Sequence, residues 1–179
     1  MSDKNSILSP FVKFDAKTWS TFKHSSDKMT IKEEDLKKYV AFNDKLSIEE
    51  VNRIYMPLSS LLRMYYISRH DRLAIIQKFL GKAMESVPFI ISISGPVTVG
   101  KTTTARLLHE LIKSWPCHPK VSMITTDGFL YPNHILNKKM IMSRKGFPIS
   151  YDVKRLISFL LDVKKENQIL RFLYIHILH

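Results

Sequence analysis

The chain is short of the features that would place it outside the ordinary globular proteins. It has one cysteine, Cys117, among 179 residues, so no intrachain disulfide can form. That fits a reducing cytosol. No apolar run approaches a membrane span, and Met1-Ser2-Asp3-Lys4-Asn5 opens no charged-then-apolar signal. We therefore expect no membrane partner and a cytoplasmic location. No repeat of 20 to 50 residues is present. Acidic residues are also scarce, with 16 Asp and Glu against 28 Lys and Arg, a formal charge of +12. A surplus of that size draws anions such as nucleotides, phosphorylated substrates, nucleic acid or acidic lipid. Much of it is Lys along helical faces (Lys13, Lys17, Lys23, Lys28, Lys37, Lys38), which reads as solvated surface. No aromatic-interleaved basic face or helix-turn-helix pattern supports nucleic acid as the partner.

The stretch Gly95-Pro96-Val97-Thr98-Val99-Gly100-Lys101-Thr102 fits the phosphate-cradling pattern G-x-x-x-x-G-K-[ST]. A chain of this length shows that pattern by accident on the order of once in one or two hundred sequences. Context strengthens it. Pro88 to Ser94 reads as a short buried strand running into the loop. Thr103 to Lys113 reads as a helix leaving it, with Leu107, Leu108, Leu111 and Ile112 on one face. Helix N-termini offer unpaired N–H groups and the positive end of a dipole. Gly95 and Gly100 allow backbone shapes that a side chain blocks. Lys101 would reach the β- and γ-phosphates, and Thr102 would offer its hydroxyl to Mg²⁺.

Before that loop the chain reads as helical. Phe11, Phe14, Trp19 and Phe22 look like aromatic anchors of an extended arm. Thr30-Ile31-Lys32-Glu33 and Ser47-Ile48-Glu49-Glu50 are capping boxes. The first predicts a helix to about Phe42. The second predicts a helix ending before Pro57. A long amphipathic helix follows over about 58–80, with Leu58, Leu61, Leu62, Tyr65, Leu73, Ile76 and Leu80 at helical spacing and Gly81 as its stop. Tyr65 and Tyr66 read as core and rim.

After the loop helix, Trp115-Pro116 stops the chain and Lys120 to Thr126 reads as a second strand. Asp127-Gly128-Phe129 turns at its carboxyl end. Ligands of open α/β sheets sit at that edge. Asp127 is placed either to accept a proton during phosphoryl transfer or to order Mg²⁺ through water, or it is an ordinary turn aspartate before glycine. A short helix is predicted from His134 to about Met140. Lys138, Lys139, Arg144 and Lys145 bracket a basic loop that either covers a nucleotide or acidic substrate or is simply solvated. Asp152 caps a final helix with Val153, Leu156, Ile157, Leu160 and Leu161 along one face. The tail from Ile169 to His179 is apolar and strand-like. His176 and His179 have no neighbouring carboxylate or thiol and do not suggest a metal site.

With these residues in place, the chain resembles the bacterial type I pantothenate kinases, of the P-loop kinase group that includes uridine kinase and phosphoribulokinase. The resemblance extends from about Ser9 to about Asp162. It is carried by the loop with Ile90 to Ser94 and Thr103 to Arg106, by Thr125-Thr126-Asp127-Gly128-Phe129-Leu130 with Pro132-Asn133, by Lys145-Gly146-Phe147-Pro148 with Ser150-Tyr151-Asp152, and by Asn43-Asp44-Lys45-Leu46-Ser47 with Tyr55-Met56-Pro57-Leu58-Ser59. It implies an α/β fold, a P-loop nucleoside-triphosphate-hydrolase-like parallel sheet with helices on both faces. A helical extension over 1–85 would pack on a kinase core over 86–179. It implies ATP and Mg²⁺ as cofactors, pantothenate as substrate, coenzyme A as feedback inhibitor overlapping ATP, and a homodimer for the full-length family. Position by position, Gly95 to Thr102 would bind ATP. Lys101 and Asp127 would be catalytic, with Asp127 the base for the pantothenate hydroxyl. Asn43 and Arg106 would contact coenzyme A, and Tyr174 and His176 would match a Tyr-Ser-His segment that contacts pantothenate and coenzyme A, although Ile175 replaces the Ser.

Family members run on for well over a hundred further residues. The resemblance then implies a truncated copy whose tail after about Glu166 is out of frame. The family's strand between the P-loop strand and the Asp127 strand, which carries an acidic metal ligand, is expected to be absent. Two core strands would face each other across a gap with unpaired N–H and C=O groups.

Overall fold

The computed structural model describes residues 11–24, 31–40, 46–83, 88–96, 99–165 and 172–178, with Lys165 and residues 172–178 described by backbone alone. The arm does contain a helix, α1 (Ala16–Ser20), capped by Asp15, whose carboxylate accepts from the Thr18 N–H at 2.8 Å. Phe22 packs edge to face on Phe14 and Trp19, and Phe14 is tilted against Trp19, with ring centroids 5.2 to 6.1 Å apart. The helix predicted to reach Phe42 is shorter: a 3-10 turn over Glu33–Asp35 leads into α2 (Leu36–Tyr39). Thr30 and Phe42 lie outside the described residues.

Ser47 caps α3 (Ile48–Glu50) as predicted, its hydroxyl accepting from the Glu50 N–H at 3.1 Å. The helix does not stop before Pro57. A π-helical turn, Val51–Tyr55, joins α3 to α4 (Met56–Leu80), so the helical run is continuous from residue 48 to 80. A proline ring crowds the carbonyl four residues back and has no N–H to donate. The wider π turn just upstream absorbs both defects. Trp19 meets that turn from outside, its indole N–H donating to the Ile54 carbonyl at 3.0 Å. The covered face of α4 is only partly the predicted one: Leu58 and Leu62 pack against the core as expected. Met56, Ser59, Ser60, Arg63 and Tyr66 are buried, whereas Leu61 and Tyr65 are exposed. Gly81 ends α4 in the left-handed conformation, φ 61°.

The sheet comprises β1 (Phe89–Ser94), β2 (Lys120–Thr125) and β3 (Phe172–Leu178) in the order β1-β3-β2, with both pairings parallel. This corrects the expected gap. The apolar tail fills the central position, and β3 gives β1 and β2 the partners they need along their inner edges. The expectation failed because it treated the tail as unrelated sequence. A β-rich, uncharged segment can pair with two strand edges whatever its origin, because ladder bonds use only backbone groups.

Helix α5 (Lys101–Lys113) is the packing centre. On one side Ala105, Leu108 and Ile112 join Tyr66 and Trp115 over Phe89, Ile91, Ile93 and Val121 of the sheet. On the other, Leu107 and Leu111 pack with Ile31, Leu36, Val51 and Met56. Burying each such side chain is worth roughly 1.5–3 kcal/mol. The Trp115 indole donates to the Ser59 hydroxyl at 3.0 Å, locking the end of α5 to α4. After β2 come α6 (Asn133–Lys138) and α7 (Val153–Lys165), the latter capped by the Asp152 carboxylate on the Arg155 N–H at 3.0 Å.

Candidate active site

Strand alternation sends Phe89, Ile91 and Ile93 toward α5. The chain then leaves β1 at Ser94, turns through Gly95 and enters α5 at Lys101. Gly100 is the residue before the helix and holds φ 79°, a left-handed conformation that disfavours a Cβ. A Cβ on Gly95 would meet Val99 Cγ2 at 3.1 Å, so the loop folds tightly over its first glycine. Val97 and Thr98 lie outside the described residues. The Lys101 side chain is only 6 % exposed, and its ammonium turns back into the loop. It donates to the carbonyls of Gly95, at 2.9 Å, and Pro96, at 2.5 Å. Thr102, half-buried, and exposed Arg106, four residues on, complete the start of α5.

Asp127 is exposed, in a 3-10 turn over Thr126–Phe129 directly after β2. Several contacts fix that turn. Thr126 and Phe129 are buried. Phe129 packs on Phe159 of α7 with centroids 5.4 Å apart. Its carbonyl accepts from the Asp152 N–H at 2.7 Å, and Leu130 pairs with Tyr151 in an antiparallel bridge. The Tyr151 hydroxyl is thereby drawn close to the turn. Burial, then the negative charge of Asp127, pushes its pKa up, while the Thr126 hydroxyl pulls it back. Reading the residues singly did not mark Tyr151 as a group that feels the Asp127 charge. It entered there only as part of the Ser150-Tyr151-Asp152 segment.

Register brings the loop and Asp127 to one edge. Ile93 pairs with Ile177, which pairs with Thr125, so β1 and β2 end level with each other. With one strand between them, their ends stand about 10 Å apart. Both the loop and Asp127 follow directly from these carboxyl ends, as expected for a ligand cleft. The other named residues are not gathered there. Asn43 lies outside the described residues. Tyr174 and His176 pair with Ser122 and Ile124 of β2, four and two residues short of Leu178, where β3 ends. The basic loop keeps Lys138, Lys139, Arg144 and Lys145 exposed. Lys139 stands over the Tyr131 ring at 4.0 Å, and Lys145 donates to Asn133 at 3.0 Å. Among the described residues, no group of three or more His, Cys, Asp or Glu side chains could hold a metal ion. No helix among them is long and apolar enough to cross a membrane.

A strand, a glycine loop and a helix, with parallel neighbours and an aspartate at the same edge, make a partial α/β fold of the P-loop-kinase kind. Comparison with known proteins narrows the class. No family model matches the chain. The pantothenate kinase of Vibrio cholerae serotype O1 is 48% identical over 158 residues, which is 88% of this chain and 50% of that protein. The pantothenate kinase of Vibrio vulnificus is 47% identical over 157 residues, and that of Erwinia tasmaniensis 46% over 165 residues. The chain is thus similar to bacterial pantothenate kinases along about nine-tenths of its length. It spans about half the length of the curated relatives it matches.

Proposed function

We propose that this chain carries the nucleotide-binding part of an ATP-dependent pantothenate kinase, the enzyme class that makes 4'-phosphopantothenate, and that it works in the cytoplasm. The observation that supports this most is the level register of the Gly95–Thr102 loop and Asp127 at one sheet edge, in a chain close to half identical to pantothenate kinases. The residues present fit a bound polyphosphate. Gly100 sets the left-handed turn, α5 is long enough to present a full N-terminus, and Lys101 is the one cation folded into the loop's own carbonyls among the described residues. On binding, the Lys101 ammonium exchanges the two carbonyls for phosphate oxygens. It thereby neutralises charge that grows on the transferred group. Thr102 would hold Mg²⁺, with phosphate oxygens and water as the remaining ligands. The metal supplies charge neutralisation across the phosphates. Asp127 accepts the proton of the pantothenate hydroxyl. Asn43 and Arg106 are the proposed contacts for coenzyme A as inhibitor. Tyr174 and His176 are the proposed contacts for substrate, and the full-length assembly would be a homodimer.

A second reading has a specific observation behind it. The central strand, Phe172-Leu173-Tyr174-Ile175-His176-Ile177-Leu178, has no carboxylate, and the chain spans half of its relatives. A chain of this kind binds nucleotide without turning it over. One assay separates the two: pantothenate-dependent ADP release by the 179-residue chain, beside Lys101→Met and Asp127→Asn. Turnover abolished by both changes supports the kinase. ATP binding without turnover supports the second reading. Turnover that survives both changes refutes the assigned roles.

A further inference from the structure

A cavity of about 480 Å³ lies between β1 and α7, on the side of the sheet away from α5. Strand alternation accounts for this. Phe89, Ile91 and Ile93 pack toward α5, so Ile90 and Ser92 look the other way. There they meet Leu160 and Lys164 of α7. Arg69 of α4 and Phe89, the first residue of β1, also line the space. A rise of about 3.3 Å per residue puts Phe89 about 17 Å from Ser94, where the Gly95 loop begins. The cavity is therefore separate from the phosphate-binding loop. The sequence predicts one core face of α7 for Val153, Leu156, Ile157, Leu160 and Leu161. In the structure α7 seats on the Asp127 turn through Phe159, which leaves Leu156 and Leu160 half-buried and Val153, Ile157 and Leu161 exposed.

The lining has a definite chemistry. Phe89, Ile90 and Leu160 are apolar, Ser92 offers a hydroxyl, and Arg69 and Lys164 are cations. No described residue lining the cavity is acidic. Arg69 is half-buried and held in place. Its guanidinium donates to the Pro88 carbonyl at 3.1 Å and lies 5.9 Å from the Phe89 ring centroid. Burial, then the like charge of Arg72, pulls its pKa below the ordinary arginine value. A cation in that position is stabilised by an anion beside it. Lys164 stands one helical turn after Leu160, so both lie on the same side of α7. Its aliphatic stem can extend the apolar wall while the ammonium stays in water.

We propose that this cavity is a second small-molecule site, one that takes a carboxylate with a short apolar body, a fatty-acid-like anion. The carboxylate meets Arg69 and Lys164, and the apolar body lies on Phe89, Ile90 and Leu160. Three features select this class. The volume falls within the roughly 300–1,000 Å³ of ligand pockets. A guanidinium fixed in position pairs with a carboxylate through two parallel bonds. An apolar floor with two cations suits one negative charge; a nucleotide would lay several charges against Phe89, Ile90 and Leu160 at a desolvation cost. A purely apolar guest would leave the two cations without a counter-charge from the ligand. The site needs no catalysis and no occupant at the Gly95–Thr102 loop.

The test is a titration of the ¹⁵N-labelled 179-residue chain with octanoate, beside 1-octanol as the apolar control and acetate as the anionic one. Octanoate should give saturable shifts at the amides of Phe89, Ile90, Ser92, Leu160 and Lys164, and should bind at least tenfold more tightly than either control. Arg69→Gln should weaken octanoate at least tenfold, since the charge it removes is half-buried. Lys164→Gln should weaken it about two- to five-fold, because an exposed charge contributes less. Lys164 is exposed, so this variant should keep the wild-type circular dichroism and melting temperature, and its loss of affinity then cannot come from misfolding. Absence of saturable shifts at these five amides overturns the proposal. Equal affinity for 1-octanol overturns it as well, by showing an apolar void that does not recognise the charge. Shifts centred on Gly100 and Lys101 would place the anion in the phosphate loop and overturn it, and so would wild-type affinity in both variants. Octanoate binding by a chain that does not bind ATP would sink the functional reading above and leave this one standing.

Discussion

Replacing Ile175 by proline should cost this protein about 3 kcal/mol. Ile175 lies in the middle of β3, level with Ile91 of β1 and Met123 of β2. A central strand spends every backbone N–H on one neighbour or the other. Proline removes one donor and leaves a carbonyl facing it without a partner inside the sheet, worth about 1–3 kcal/mol. Its ring also crowds the ladder, and proline is essentially confined to edge strands and bulges. A loss of about 3 kcal/mol lowers the folded-to-unfolded ratio by roughly two orders of magnitude. In a chain of this size it should lower Tm by about 6–12 °C. Urea titration followed by circular dichroism gives the free energy, and calorimetry gives Tm. Ile175→Val is the control, since it keeps the donor and the β-branched shape, and it should change Tm little. If Ile175→Pro melts with the wild type, the tail is not in the sheet. The closed β1-β3-β2 order would then be wrong.

The remaining expectations are more local. Leu111→Ala removes a side chain only 1% exposed at the contact of α5 with the N-terminal helices, and should cost about 2–5 kcal/mol by urea titration. Trp19→Phe deletes the bond to the Ile54 carbonyl at the π turn and should cost about 1 kcal/mol, with faster amide exchange confined to residues 51–58. Burial and Asp127 raise the Tyr151 pKa in the folded state above its value in the unfolded chain, near 10. The folded state therefore holds this proton more tightly. Its contribution is fully present below pH 10 and is lost as pH rises through the folded value. Tyr151→Phe should flatten the fall in stability measured between pH 9 and 11, and an unchanged slope would refute the assignment.

The sequence disclosed what short-range chemistry controls. Ser47, Asp152 and Gly81 act as caps or stops where their side chains or lack of one predict it, because each effect involves residues within a turn. The strands bordering the loop and Asp127 were readable for the same reason. Three features were not. Pro57 marks a helix boundary by local rules, but the π turn before it and Trp19, thirty-five residues from Ile54, keep the helix intact. Periodicity could show that α4 and α7 are amphipathic, but not which part of a wide apolar arc meets a neighbour. Tyr66 and Val163 are buried while Tyr65 and Leu161 are not. The place of β3 depends on pairing across eighty residues, which no local pattern encodes. In the candidate site, Lys101 was evident from spacing. Its bonds to the Gly95 and Pro96 carbonyls, and the approach of Tyr151 to Asp127, follow only from the folded chain.

The central claim is that the loop from Gly95 to Thr102 receives the terminal phosphates of a nucleotide. The direct measurement is a titration of the ¹⁵N-labelled chain with Mg²⁺ and ATP. The account predicts saturable shifts of the Gly95, Gly100, Lys101 and Thr102 amides. In Lys101→Met, where a charge-assisted contact of about 1.5–3 kcal/mol is gone, affinity should fall by roughly ten- to a hundred-fold. Amides of this loop that stay still while others titrate, or an affinity that Lys101→Met leaves unchanged, would contradict it.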